Sequence, residues 1–193
     1  MNNNTNINTN NTNNNSNNSN NLILNTVEIA GFKTEIANIQ ETLDFIEKIK
    51  YNCCDACIIQ LMDAKAIAGK KHIEHGILHG MNAFKRKENI ANDIGIEICI
   101  RISAQRQISK ALDILGLKKG KMEIVAVLIN CPDYFIDELN SYFTRDDDVL
   151  DPDLSILKDI YDIPQKELET LSSIDINIAD VLMDRTSALI VEL

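Results

Sequence analysis

Hydrophobic positions change period several times along this chain, and each change marks an element. Residues 22–30 read as a first strand. Ile36, Ile39, Leu43, Ile46 and Ile49 recur at helical intervals and predict a helix ending near Lys50. Residues 56–62, ACIIQLM, predict a second and mostly buried strand. A long helix over 69–87 follows, with Ile73, Ile77, Met81 and Phe84 along its core face. The isoleucines at 96, 98, 100 and 102 alternate with Glu97, Cys99, Arg101 and Ser103. That period of two predicts a strand with one oily face. Ile108, Ala111, Leu112 and Leu115 then return to the helical stripe, with Ser103 placed to cap that helix and Gly116 to close it. Residues 122–129, MEIVAVLI, are nearly continuous in hydrophobes and predict the most central strand. Pro132 opens a helix running to about Phe143. Residues 145–153, RDDDVLDPD, read as a solvated acidic loop. Two short helices come next, the second opened by Pro164, and 177–193 is a final apolar segment.

Strand alternating with helix predicts an α/β domain over residues 22–193, a small mixed sheet flanked by helices. If the strands at 56–62 and 96–103 are neighbours, a right-handed crossover makes them parallel. The helix starts near Gly69 and Ala104 then share one sheet edge, where open α/β sheets tend to bind ligands. An antiparallel pairing would separate them. Residues 1–21 are almost entirely Asn, Thr and Ser, carry no charge, and have too little apolar surface to offset their ordering entropy. They are expected to form a disordered tail.

Charge sharpens this outline. The net charge is −10, yet residues 65–121 hold twelve Lys/Arg against five Asp/Glu, a local balance of +7. Residues 1–64 carry −4 and residues 122–193 carry −13. Such segregation suggests a basic patch on an acidic body, which would discourage loose binding of polyanions. No apolar run approaches the roughly 20 residues of a membrane span. Five cysteines without framework spacing point to a reducing cytoplasm rather than to disulfides.

Several constellations are candidates for chemistry. Gly69-Lys70-Lys71-His72 places a flexible residue and two cations at a helix start, where free N–H groups and the helix dipole favour a phosphate. Lys65, Arg101, Arg106 and Lys110 could extend that patch, and His72 and His75 could stack on a base or donate to it. His72, His75 and His79 also share one helix face at i, i+3 and i+7, a spacing that allows metal chelation. Cys54 and Cys57 form a C-x-x-C, which reads either as a redox pair or as buried structural cysteines. No Gly-rich phosphate loop and no nucleophile elbow is present in the sequence. In the terminal segment Ile178, Val181, Leu182, Met183, Leu189 and Ile190 spread more widely than one core-facing stripe requires, which predicts either deep burial or a shared partner surface.

Gly69-Lys70-Lys71-His72, Ala83-Phe84, Asn89-Ile90-Ala91, Glu97-Ile98 and, above all, Ser103-Ala104-Gln105-Arg106-Gln107-Ile108 with Ala111-Leu112 carry a resemblance. Together with the closing Thr186-Ser187-Ala188-Leu189, they resemble the PRPK-binding (TPRKB-like) subunit of the KEOPS complex, archaeal type, over roughly residues 22–193. The resemblance implies an α/β, non-catalytic subunit that binds the complex's small atypical kinase/ATPase. It further implies a contact with the 3′ CCA end of tRNA, in support of threonylcarbamoyl modification of the adenosine beside the anticodon. The kinase contact is then expected at the six terminal residues named above. The RNA contact is expected at Lys65, Gly69, Lys70, Lys71, His72, His75, Arg101 and Arg106. No cofactor, membrane or DNA contact is expected. The alternative is a small metal-binding or redox protein using His72, His75 and His79 or Cys54 and Cys57.

Overall fold

The computed structural model describes residues 26–51, 53, 56–164, 166 and 177–191. Among the described residues four strands form one sheet in the order β2-β3-β1-β4: β1 is Val27–Ile36, β2 Ile58–Asp63, β3 Gly120–Ile129 and β4 Thr144–Arg145. Every pairing is antiparallel, so the sheet is not mixed and no parallel crossover exists among the described residues. Strand β3 has partners on both sides, β1 along its whole length and β2 over its second half, as its continuous hydrophobicity predicts. Strand β1 begins later than expected, and residues 22–25 lie outside the described residues.

Both sheet faces are covered, which makes three layers. Val125, Val127 and Ile129 point to one face with Ile58 and Met62; Ile124, Ala126 and Leu128 point to the other with Ala30 and Phe32. The first face packs under α2 (Lys70–Arg86), α3 (Ile94–Ser103) and the end of α4 (Ile108–Leu115). The second carries α1 (Ile39–Lys50) and α5 (Tyr134–Tyr142) through Ile46, Phe135 and Leu139. Short α6 (Leu154–Ile160) and the terminal α7 (Ile178–Val191) close one side of the first helical layer, where Ile178 and Leu182 pack with Ala68, Leu157 and Tyr161. The helix expected after Pro164 and the Asn-rich tail lie outside the described residues, as does Cys54.

The segment expected to be a strand at 96–103 is helix α3, and burial explains the difference. Gly95 and every residue from Glu97 to Ser103 are buried. A helix surrounded on all sides needs no apolar stripe, so alternating isoleucines can satisfy its whole circumference. Ile98 and Ile102 face α2 and the sheet, while Ile96 and Ile100 meet Ala91 and Ala111. Asp93 caps the start, its carboxylate accepting from the Ile96 N–H at 2.9 Å. The helix stops at Ala104, which is left-handed with φ 51°, and the Gln105 N–H closes back on Ile100 O. Ser103 therefore does not cap α4; its buried hydroxyl donates to Ile100 O instead. Gly116 does end α4, its N–H donating to Leu112 O at 2.7 Å.

The cysteines also depart from expectation. Cys57 is disulfide-bonded to Cys131, 74 residues away, rather than paired within C-x-x-C. The acidic run is more than a solvated loop. The Asp147 carboxylate accepts from the Gly31 N–H at 2.8 Å and from Arg145, and Asp146 pairs with Lys33 at 2.6 Å. These carboxylates finish the edge of β1 where β4 runs out.

Candidate functional site

The start of α2 and the turn between α3 and α4 lie together at one end of the helical layer. The reason is an antiparallel helix pair rather than parallel strands. Gly76 and Gly80 let α2 approach α3 so closely that a Cβ on either would press on Ile102 or Ile98. The beginning of α2 consequently sits beside the end of α3, and His72 spans the gap. Its Nε2–H donates to Ile102 O at 2.9 Å, while its Nδ1 accepts from the Ala68 N–H at 3.2 Å.

Gly69 holds the entry to α2. Its φ of +88° is open to glycine and strained for other residues, and its carbonyl accepts from His72 and Ile73. Among the described residues no N-cap side chain accepts at the start of this helix, of α4 at Gln107 or of α5 at Asp133, whereas Asn38, Asp93 and Asp153 cap α1, α3 and α6. Lys70 and Lys71 are exposed on the first turn of α2, and Arg106 is exposed in the four residues before α4. Lys65 is exposed in the short 3₁₀ turn Ala64–Ala66. Together these residues give backbone donors and cations at one end, an arrangement suited to an anion.

Acidic neighbours border the same end. Lys65 shares a cavity of about 170 Å³ with Asp148, Asp151 and Asp153. Burial pushes the Asp147 carboxyl up, but the Gly31 amide and Arg145 outweigh it, with Lys70 adding to them, and hold the group below its usual range. The Ser155 hydroxyl and the amides of Ile156 and Ser155 lower Asp153.

Two residues expected to touch RNA are instead internal. His72 is fully buried and both ring nitrogens are occupied; burial lowers its pKa to about 4, so the ring is neutral. Arg101 is 1% exposed, and its Nε donates to Glu97 at 2.8 Å. The second oxygen of Glu97 accepts the N–H groups of Ile90 and Ala91, both at 2.8 Å, so this buried pair fastens the loop between α2 and α3. His75 is half-buried further along α2, 3.3 Å from the Ser187 hydroxyl of α7, with its ring 4.2 Å from that of His79. Burial and the neighbouring His75 and Arg101 charges lower the His79 pKa.

With both His72 nitrogens engaged, the three histidines do not present a common set of ligands. Among the described residues no group of three or more His, Cys, Asp or Glu is placed to hold a metal ion. The metal reading is corrected accordingly.

The terminal helix divides into two sides. Ile178, Leu182 and Leu189 are buried and serve the core, which corrects their assignment to a partner surface. Thr186 locks the inner side: its hydroxyl reaches Arg101 O at 2.6 Å, and Arg185 donates to Tyr161 O at 3.0 Å. Val181 and Met183 are half-buried, and Asp184 and Ala188 are exposed. The side chain of Ile190 lies outside the described residues.

Residues 33–181 match the family described as kinase binding protein CGI-121. The chain belongs to the CGI-121 family. A curated relative, the regulatory protein Cgi121 of Methanocaldococcus jannaschii, is 39% identical over 66 residues, which is 34% of this chain and 43% of that protein. The match spans less than half of that relative's length. Both printed names describe binding or regulation, and the family's extent takes in the last four residues of β1, the other three strands, the α2–α3 pair and the start of α7. Among the described residues no helix is long and apolar enough to cross a membrane.

What sequence reasoning missed was the Glu97–Arg101 clamp. The i, i+4 spacing of opposite charges was a legible signal for a helix at 94–103.

Proposed function

We propose that this CGI-121 family member is a non-catalytic regulatory subunit of a KEOPS-type assembly, joining its atypical kinase/ATPase to tRNA. The observation that carries the reading is the meeting, in a kinase-binding family, of two uncapped helix starts with exposed Lys70, Lys71 and Arg106 at one end of the domain. A single-stranded 3′ end suits such a place, because a splayed chain can bring one phosphate to backbone N–H groups without a groove to read. Lys65 extends the rim, and Gly69 leaves the backbone accessible. The kinase contact is assigned to the outer side of α7, at Val181 and Met183. Support of threonylcarbamoyl transfer to the adenosine beside the anticodon follows from membership of such an assembly, in the cytoplasm.

A gel shift comparing intact tRNA with tRNA trimmed of its 3′ end tests the RNA half. Intact tRNA should bind more tightly, and Lys71→Glu should erase most of the difference while leaving the fold and kinase binding unchanged. Binding should weaken steeply with salt, because the acidic body adds nothing to offset lost phosphate contacts. Equal binding of trimmed and intact tRNA to the wild type would overturn the assignment.

A further inference from the structure

The Cys57–Cys131 bridge stands at the other end of the sheet from Gly69. Cys57 directly precedes β2, and Cys131 lies just beyond β3. Ile58 faces Ile129 in the antiparallel register, so the bridge ties the ends of two neighbouring strands, with Cα atoms 4.7 Å apart. Strand β2 runs from there toward Lys65, a separation of about 20 Å over its length.

The two sulfurs are not equivalent. Cys57 is 4% exposed, within the apolar cluster that includes Ile59 and Leu128. Cys131 is half-buried and lines a cavity of about 290 Å³ with Thr26, Glu28, Leu128, Pro132 and Asp133. Asn130 presents it there: at φ 54° it turns the chain sharply, and its N–H donates to Thr26 O at 3.0 Å. The Cys131 sulfur also lies 3.2 Å from Ile58 O and 3.4 Å from Ile129 O. A thiol at this position therefore finds acceptors already in place. Cys57, once released, would return to apolar surroundings that suit a neutral S–H. The same backbone thus accommodates the bridge and the two thiols.

We propose that Cys57–Cys131 is a reversible thiol-exchange site for small thiols that bear no acidic group besides the thiol itself. The thiolate enters the cavity and attacks the Cys131 sulfur, forming a mixed disulfide, and the electron pair of the broken bond leaves on Cys57, which takes a proton. A second small thiolate attacks the small-molecule sulfur of that mixed disulfide and expels the Cys131 thiolate, which is protonated in turn. The balance is one protein disulfide reduced to two thiols and two small thiols oxidised to their disulfide; the reverse reaction uses that disulfide as oxidant. Access selects the sulfur attacked, since the cavity opens on Cys131 and not on Cys57. Charge selects the reagent, since Glu28 and Asp133 line the cavity and, among the described residues, no lysine or arginine does.

The full chain, isolated oxidised, is treated without denaturant with cysteamine, 2-mercaptoethanol or thioglycolate. Reaction is stopped by alkylation, and peptide mapping reads Cys57 and Cys131. Rates are expressed per thiolate and relative to the same thiol acting on a small linear disulfide. Cysteamine should react fastest and thioglycolate slowest, about tenfold apart at low salt. Salt of about 1 M should compress the ratio below about twofold. The two single variants are treated instead with cystamine, the disulfide of cysteamine: in Cys57→Ser the Cys131 thiolate should attack it, forming the mixed disulfide and releasing one cysteamine, and in Cys131→Ser the same exchange at Cys57 should run about tenfold more slowly, because that sulfur is buried. Equal normalised rates, thioglycolate fastest, first modification at Cys57, or reduction only in denaturant would each overturn the proposal. Should either variant fail to fold, the rate order on the wild-type chain decides.

Discussion

At the scale of single residues, the polar groups inside the helical layer do the positioning. His72 joins the start of α2 to the end of α3 only while neutral. Its folded pKa of about 4 lies below the unfolded value of 6.5, so the unfolded chain binds more protons between these limits. Its contribution is therefore complete above pH 6.5 and is lost as pH falls toward 4, on the order of 3 kcal/mol. Melting temperature measured from pH 7 to pH 4 should fall through that window, and His72→Gln should flatten the slope while lowering stability at pH 7. His79 adds to the slope in the same direction. Glu97 supports a second prediction. Glu97→Gln leaves the buried Arg101 without its counter-charge and should cost about 3–5 kcal/mol. Amide exchange should rise at Ile90 and Ala91, the two N–H groups it holds. Neither role was legible beforehand: His72 beside Lys70 and Lys71, and Arg101 within the basic stretch 65–121, read as parts of one basic patch, and burial belongs to residues far away in the chain.

At the scale of elements, the α2–α3 pair decides where everything at the candidate site stands. A methyl group at Gly76 would collide with the Ile102 side chain and lie within 3.3 Å of its backbone. Gly76→Ala should therefore push the helices apart and destabilise by about 1–3 kcal/mol, despite the better helix propensity of alanine. Its signature should be a loss of the His72–Ile102 bond, visible as a His72 pKa moving back toward 6.5 in a titration followed by NMR. Helix α7 behaves differently, because its inner side is spent on Arg101, Tyr161 and the core. Met183→Glu on the outer side should leave the free subunit folded and weaken the kinase complex by about 2 kcal/mol, roughly thirtyfold in Kd, if that contact is central. Loss of fold in this variant would return Met183 to the core. Most elements were legible from periodicity, because an amphipathic stripe records which face is buried. Helix α3 was not, because total burial removes the stripe and leaves an alternation that imitates a strand.

At the scale of the whole molecule, the sheet with helices on both faces is a scaffold whose two ends differ in chemistry: cations and uncapped helix starts at one, and the Cys57–Cys131 bridge at the other. Deleting residues 1–21 should leave melting temperature within a few degrees and tRNA binding unchanged, since an uncharged Asn-rich tract has little to bury; a calorimetric scan and the gel shift read both. The sequence by itself determined the α/β class, the central place of residues 122–129, the long basic-ended helix and the resemblance that the CGI-121 match bears out. Those properties are local, set by period, charge and motif over a few turns of chain. Only the tertiary structure decided that the sheet is antiparallel, that 94–103 is a helix, that Arg101 and His72 face inward, and that Cys57 finds Cys131. Each of these depends on contacts between segments distant in the chain, and burial by a remote segment leaves no period behind it.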